Sequence, residues 1–178
     1  MEASGSADLF SDRIDEWVTA FKQAYEQNWH HKSRPYPGIQ KLISRLLDAG
    51  FQLAVLSNKP DAFAKAMITH YFPKIPFSAV MGQKEGLPIK PDPTGALLLC
   101  EKLRVSPGQS ALVGDTGSDM KTAMSAGMTP LGVLWGFRSA SELKEAGAFC
   151  VFETPEELGD YLIGLSRSEG EKVEVTRH

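Results

Sequence analysis

The sequence has little of what redox, zinc or membrane chemistry requires. Its 178 residues include two cysteines, Cys100 and Cys150, in helix-like and strand-like apolar contexts and without Cys-x-x-Cys spacing. Such residues read as small, reduced, buried hydrophobes. The four histidines (His30, His31, His70, His178) form no zinc-ligand pattern with them. Charge of neither sign dominates: 19 Lys and Arg against 22 Asp and Glu give a net −3, and no basic cluster stands out. That balance argues against nucleic acid and anionic membranes as partners. No apolar run approaches membrane-spanning length, and MEASGSADLF lacks the basic and apolar regions of a signal peptide, so the expected location is the cytoplasm.

The patterns that are present are periodic. From Asp12 to His31, Ile14, Trp17, Val18, Phe21, Tyr25 and Trp29 recur every three or four residues, predicting an amphipathic helix. SRPYPG ends it, and Pro37-Gly38 opens a second helix that closes at Gly50. FQLAVLS then reads as a strand buried on both faces. Helices are expected over 61–71, 94–103, 119–126, 140–146 and 155–165, and strands over 79–82, 111–113, 131–134 and 149–152. This alternation predicts an α/β fold, a Rossmann-like parallel sheet with helices on both faces. Three regions follow: 1–33, a loose start and a helix; 34–166, the α/β core; and 167–178, a polar tail in which Val173 and Val175 alternate as in a short strand.

Ligands in such folds bind beyond the C-terminal strand ends. Ser57-Asn58-Lys59-Pro60 offers a hydroxyl, an amide and helix N-terminal N–H groups to a phosphate, or a plain helix cap. Lys90, between prolines in PIKPDP, is either a neutraliser of phosphoryl charge or an exposed lysine at a turn. Asp115 closes an apolar strand, where a carboxylate is costly without a partner or a metal, and Mg²⁺ suits it. Asp119 either reaches the same ion or interacts with the start of its own helix.

The order of these elements, strand–Ser-Asn-Lys, Lys-Pro-Asp-Pro and strand–Gly-Asp-x-x-x-Asp, resembles motifs two, three and four of the haloacid dehalogenase (HAD) superfamily. RPYPGIQKLISRLLDAGFQLAVLSNKP, IKPDP, LVGDTGSDMKTAMSAGM and GVLWGFRSASELKEAGA look most like its phosphoglycolate phosphatase branch. The resemblance implies a Mg²⁺-dependent phosphatase of small phosphorylated metabolites. Ser57, Asn58 and Lys90 would hold the phosphoryl group, with Ser57 and Lys90 serving catalysis, and Asp115 and Asp119 would serve the metal. The 12–31 helix is similar to the last helix of the family's helical cap.

The family's first motif, Asp-x-Asp-Gly-Thr, is lacking. None of the nine aspartates stands two residues from another, so neither nucleophile nor acid/base is found. The strand that carries it would lie between those ending at Ser57 and Asp115. Its lack leaves two rows of backbone groups without partners, a costly arrangement. A truncated chain, a reorganised sheet, or a strand supplied by a neighbour or by the Val173–Thr176 tail each answers it. The neighbour's strand predicts a homo-oligomer by strand or domain swap. A non-catalytic, phosphate- or Mg²⁺-binding or self-associating remnant is the alternative function.

Overall fold

The computed structural model describes residues 33–174, with side chains as far as residue 166, and, before them, Arg13, Glu16, Trp17 and Ala20. The chain divides between Arg34 and Pro35. In the first unit Arg13, Glu16, Trp17 and Ala20 are helical, and the Arg13 guanidinium lies 5.5 Å from the ring centre of Trp17. The remainder of the helix expected over 12–31 lies outside the described residues.

The second unit alternates helices and strands. Its elements are α1 (Ile39–Asp48), β1 (Ala54–Pro60), α2 (Asp61–Tyr71), β2 (Ala79–Gln83), α3 (Thr94–Leu103), β3 (Ala111–Gly114), α4 (Gly117–Ala126), β4 (Thr129–Val133), α5 (Ala140–Glu145), β5 (Cys150–Phe152) and α6 (Pro155–Glu174). The α/β class is as expected, and every strand pairing is parallel.

Helices cover β4 on both faces. Leu131 and Val133 join Leu42 and Leu46 of α1, Phe152 of β5 and Leu158 of α6 in one apolar cluster. Gly132, between them, turns to the other face, where a side chain would meet Leu143 of α5. Met120, Ala123 and Leu143 are inaccessible to solvent. The strand is thus apolar throughout because both of its faces are core.

Several boundaries differ from expectation, β4 for one beginning at Thr129. β1 runs on through Ser57, Asn58 and Lys59 to Pro60, with a register shift against β2 between Leu56 and Pro60. α4 begins at Gly117, two residues early, because Thr116 and Asp119 form a capping box. α6 continues to Glu174, so residues 167–174 are helical instead of forming a separate tail. Val173 is therefore not in a strand.

The sheet itself is in two pieces. β1 pairs with β2, and β3, β4 and β5 pair in that order. Among the described residues no backbone ladder joins β1 to β3.

Candidate active site

β1 and β3 carry the expected residues to their C-terminal ends, and Lys90 links the two. Its ammonium donates to the Leu56 carbonyl of β1 at 3.2 Å and to Asp119 Oδ1 of α4 at 2.6 Å. Both side chains are largely buried, at 15% and 7% exposure. An ion pair this sheltered is little screened by salt, and neither charge could lose the other cheaply. Asp119 Oδ2 accepts from the backbone N–H of Thr116 at 3.1 Å and from its hydroxyl at 2.6 Å. Both oxygens of Asp119 are thereby engaged. It is a partner for Lys90 and a helix cap.

Both polar atoms of Asn58 engage Lys90. Its Oδ1 accepts from the Lys90 backbone N–H at 2.8 Å, while its Nδ2 donates to the Lys90 carbonyl at 3.1 Å. The amide therefore clamps the backbone of the residue that carries the ammonium. Ser57 Oγ accepts from the Lys59 N–H at 3.1 Å, a local turn that fixes the side chain and leaves the hydroxyl hydrogen available to an incoming oxygen.

Asp115 stands just beyond β3. Its Oδ2 accepts from the Phe137 N–H at 2.9 Å, across the loop after β4. Glycine is required at two places around these carboxylates. A Cβ on Gly136 would lie 2.1 Å from Asp115 Oδ2, and one on Gly114 would lie 2.3 Å from the Asp119 side chain. Either would overlap the carboxylate it borders.

Other groups brace this arrangement. Asp61, the first residue of α2, accepts from the Gly82 N–H of β2 at 3.0 Å and pairs with Lys65 at 2.8 Å. The Lys65 hydrogen bond, and then that of Gly82, hold its carboxyl below the usual range. Asp92 is lowered likewise by the Thr94 hydroxyl and N–H and starts α3, just after Lys90. Sequence reasoning had not singled out Asp61, Thr116 or Gly136. The signals available were an acid directly after Pro60, a Thr three residues before Asp119, and a glycine between Trp135 and Phe137.

A model of the haloacid dehalogenase-like hydrolase family matches residues 4–133. The chain belongs to that family.

The chain is 31% identical to a phosphoglycolate phosphatase of Psychrobacter arcticus over 157 residues, 88% of this chain and 68% of the relative. It is 32% identical to the phosphoglycolate phosphatase of Vibrio cholerae over 126 residues, 71% of this chain and 56% of that protein. A solved structure from Lactobacillus delbrueckii subsp. bulgaricus superimposes with a TM-score of 0.80 at 31% identity, covering 86% of this chain and 64% of the other. A HAD phosphatase from Thermococcus onnurineus gives 0.65 at 28%, covering 80% and 64%. The chain thus spans two thirds or less of the length of most of these relatives. None of its described helices is long and apolar enough to cross a membrane.

Proposed function

We propose that this chain carries the phosphate-binding side of a Mg²⁺-dependent phosphatase site for small phosphorylated metabolites of the phosphoglycolate type, with turnover impaired. The observation that carries the reading is the buried Lys90–Asp119 pair, set by the Asn58 clamp between the ends of β1 and β3. A phosphoryl group there meets the Ser57 hydroxyl and the Lys90 ammonium, which neutralises oxygen charge. Asp119 keeps that lysine aimed.

The donor set fits magnesium. The ion needs only one or two carboxylates besides waters and phosphate oxygens. Asp115 engages a protein donor through Oδ2 alone, leaving Oδ1 for a cation. No cluster of three or more acidic, histidine or cysteine ligands occurs among the described residues, which suits Mg²⁺ better than a closed transition-metal site. When bound, the ion would screen phosphoryl charge.

Within the 178 residues the attacking group is not found. Displacement at phosphorus by this route needs a carboxylate nucleophile and, two residues on, an acid/base. No pair of aspartates in the 178 residues has that spacing, and this favours the second reading, a phosphate- and Mg²⁺-binding protein without turnover. Hydrolysis of p-nitrophenyl phosphate with and without Mg²⁺ tests the impairment. Little or no turnover is expected. Robust Mg²⁺-dependent turnover that disappears in Asp115→Ala would show that a nucleophile is present after all.

A further inference from the structure

The turn between β3 and α4 carries two hydroxyls that take no part in the proposed phosphate contacts, those of Thr116 and Ser118. Thr116 is the N-cap of α4. A cap needs only an acceptor oxygen from its side chain, so an asparagine or aspartate would serve equally well. Thr116 adds a hydrogen, and that hydrogen goes to Asp119 Oδ2 at 2.6 Å, a length typical of a hydroxyl bonded to a carboxylate. A hydroxyl has one hydrogen to give. In the 2.8 Å contact between the Thr116 and Ser118 oxygens, Ser118 is therefore the donor. The Ser118 backbone is held in turn by Thr122, which has no exposed surface and donates its hydroxyl to the Ser118 carbonyl at 2.7 Å. The bonds run one way, from Ser118 to Thr116 to Asp119, and meet the Lys90 ammonium on the other carboxylate oxygen.

This chain of bonds bears on where Lys90 points. An ammonium has three hydrogens. One meets the Leu56 carbonyl at 3.2 Å and one meets Asp119 Oδ1 at 2.6 Å. The tetrahedral nitrogen then fixes the line of the third, along which a ligand oxygen can be met. That line is only as steady as the carboxylate. The last torsion of an aspartate is broad, so an Asp119 held by Lys90 alone would turn and take the ammonium with it. Its Oδ2 is held at two points on Thr116, the N–H at 3.1 Å and the hydroxyl at 2.6 Å. Gly114 closes one side, since a Cβ there would lie 2.3 Å from the Asp119 side chain. Any residue at position 116 except proline keeps the N–H bond, but the shorter bond needs a hydroxyl.

We propose that Thr116 is a positioning residue for phosphate binding: its hydroxyl, set by Ser118, fixes the Asp119 carboxylate so that the third hydrogen of Lys90 is aimed at a phosphoryl oxygen. Thr116 acts through two other residues in series, without itself contacting the phosphate. This role rests on the phosphate site of Ser57, Asn58 and Lys90 proposed above. The hydroxyl is thereby more than a helix cap, and α5 supplies the comparison. Its N-cap, Ser139, forms the same kind of capping box with Glu142, and the Ser139 hydroxyl bonds Glu142, away from Asp119 and Lys90.

Calorimetric titration of the full chain with inorganic phosphate in the presence of Mg²⁺ tests this on the native protein, Thr116→Val, Thr116→Ser and Ser139→Ala. Thr116→Val keeps the shape and the backbone N–H and loses the hydroxyl. It should weaken phosphate binding roughly tenfold, the effect usual for partners that orient a ligating group. Thr116→Ser keeps a hydroxyl and should bind as the native protein does. Ser139→Ala removes a cap of the same kind and should lower stability in urea without changing phosphate affinity. The NMR signal of the Lys90 ammonium gives a second readout, which should shift or exchange faster in Thr116→Val and return in Thr116→Ser. Should Thr116→Val not fold, Ser118→Ala leaves the cap in place and should show the same changes to a smaller degree. Native affinity without the Thr116 hydroxyl, an unmoved Lys90 signal, or an equal loss in Ser139→Ala overturns the proposal and leaves the phosphate site standing. Absence of phosphate binding by the native protein overturns both.

Discussion

At the residue scale, the site depends on side chains that serve one another. Lys90 is the hub, and its removal leaves the Asp119 carboxylate buried and unpaired. Lys90→Met should therefore cost about 3–5 kcal/mol in urea unfolding, while the Lys90→Met/Asp119→Leu double variant should be markedly milder. Equal losses in both would mean that the pair is not coupled. Asn58→Ala removes two hydrogen bonds at an exposed position, where water can replace them, so its stability cost should be only about 1 kcal/mol. Its larger effect is expected on phosphate affinity, because the lysine backbone is no longer fixed. Gly136→Ala should weaken Mg²⁺ binding in calorimetry with little change in unfolding, since the new methyl displaces Asp115. Unchanged affinity would remove Asp115 from the account.

At the scale of elements, the sequence made the strand ends legible because a buried parallel strand is a continuous apolar run that stops where chemistry begins. The run AVLS ends at Ser57 and the run ALVG stops just before Asp115. The role of Asn58 was not legible. Its partner is the backbone of a residue 32 positions away, and no local pattern reports a contact of that range. The helical extension of α6 was hidden for a different reason: past Leu165 no apolar period marks the sequence, and polar helix formers look like tail. The core supports a sharper expectation. Leu131, with no exposed surface, lies between α1, α6 and its own strand neighbours, so Leu131→Ala should cost roughly 2–5 kcal/mol in urea unfolding.

The junction of β1, α2 and β2 depends on pH through Asp61. Its folded pKa lies below the ordinary carboxylate value, because Lys65 and the Gly82 N–H favour the ionised form. A depressed carboxylate contributes stability that is complete above its unfolded pKa of about 3.9 and is lost as pH falls through the folded value. Unfolding midpoints measured from pH 6 downward should thus fall more steeply below about pH 4 in the native protein than in Asp61→Asn. Parallel curves would exclude this contribution.

At the scale of the whole molecule, one feature organises the others: the sheet is interrupted where the site is densest. Among the described residues no ladder joins β1 to β3. The Lys90 ammonium bridges them through the Leu56 carbonyl and the Asp119 carboxylate. On the proposed reading, Ser57, Asn58, Lys90 and Asp115 bind phosphate and Mg²⁺ together at these strand ends.

Calorimetric titration of the full chain with inorganic phosphate in the presence of Mg²⁺ probes that combination directly. Saturable binding is predicted, reduced by at least about tenfold, or 1.4 kcal/mol, in Lys90→Met and dependent on Mg²⁺ through Asp115. A chain that folds normally yet binds no phosphate, or binds it equally well as Lys90→Met, would contradict the account.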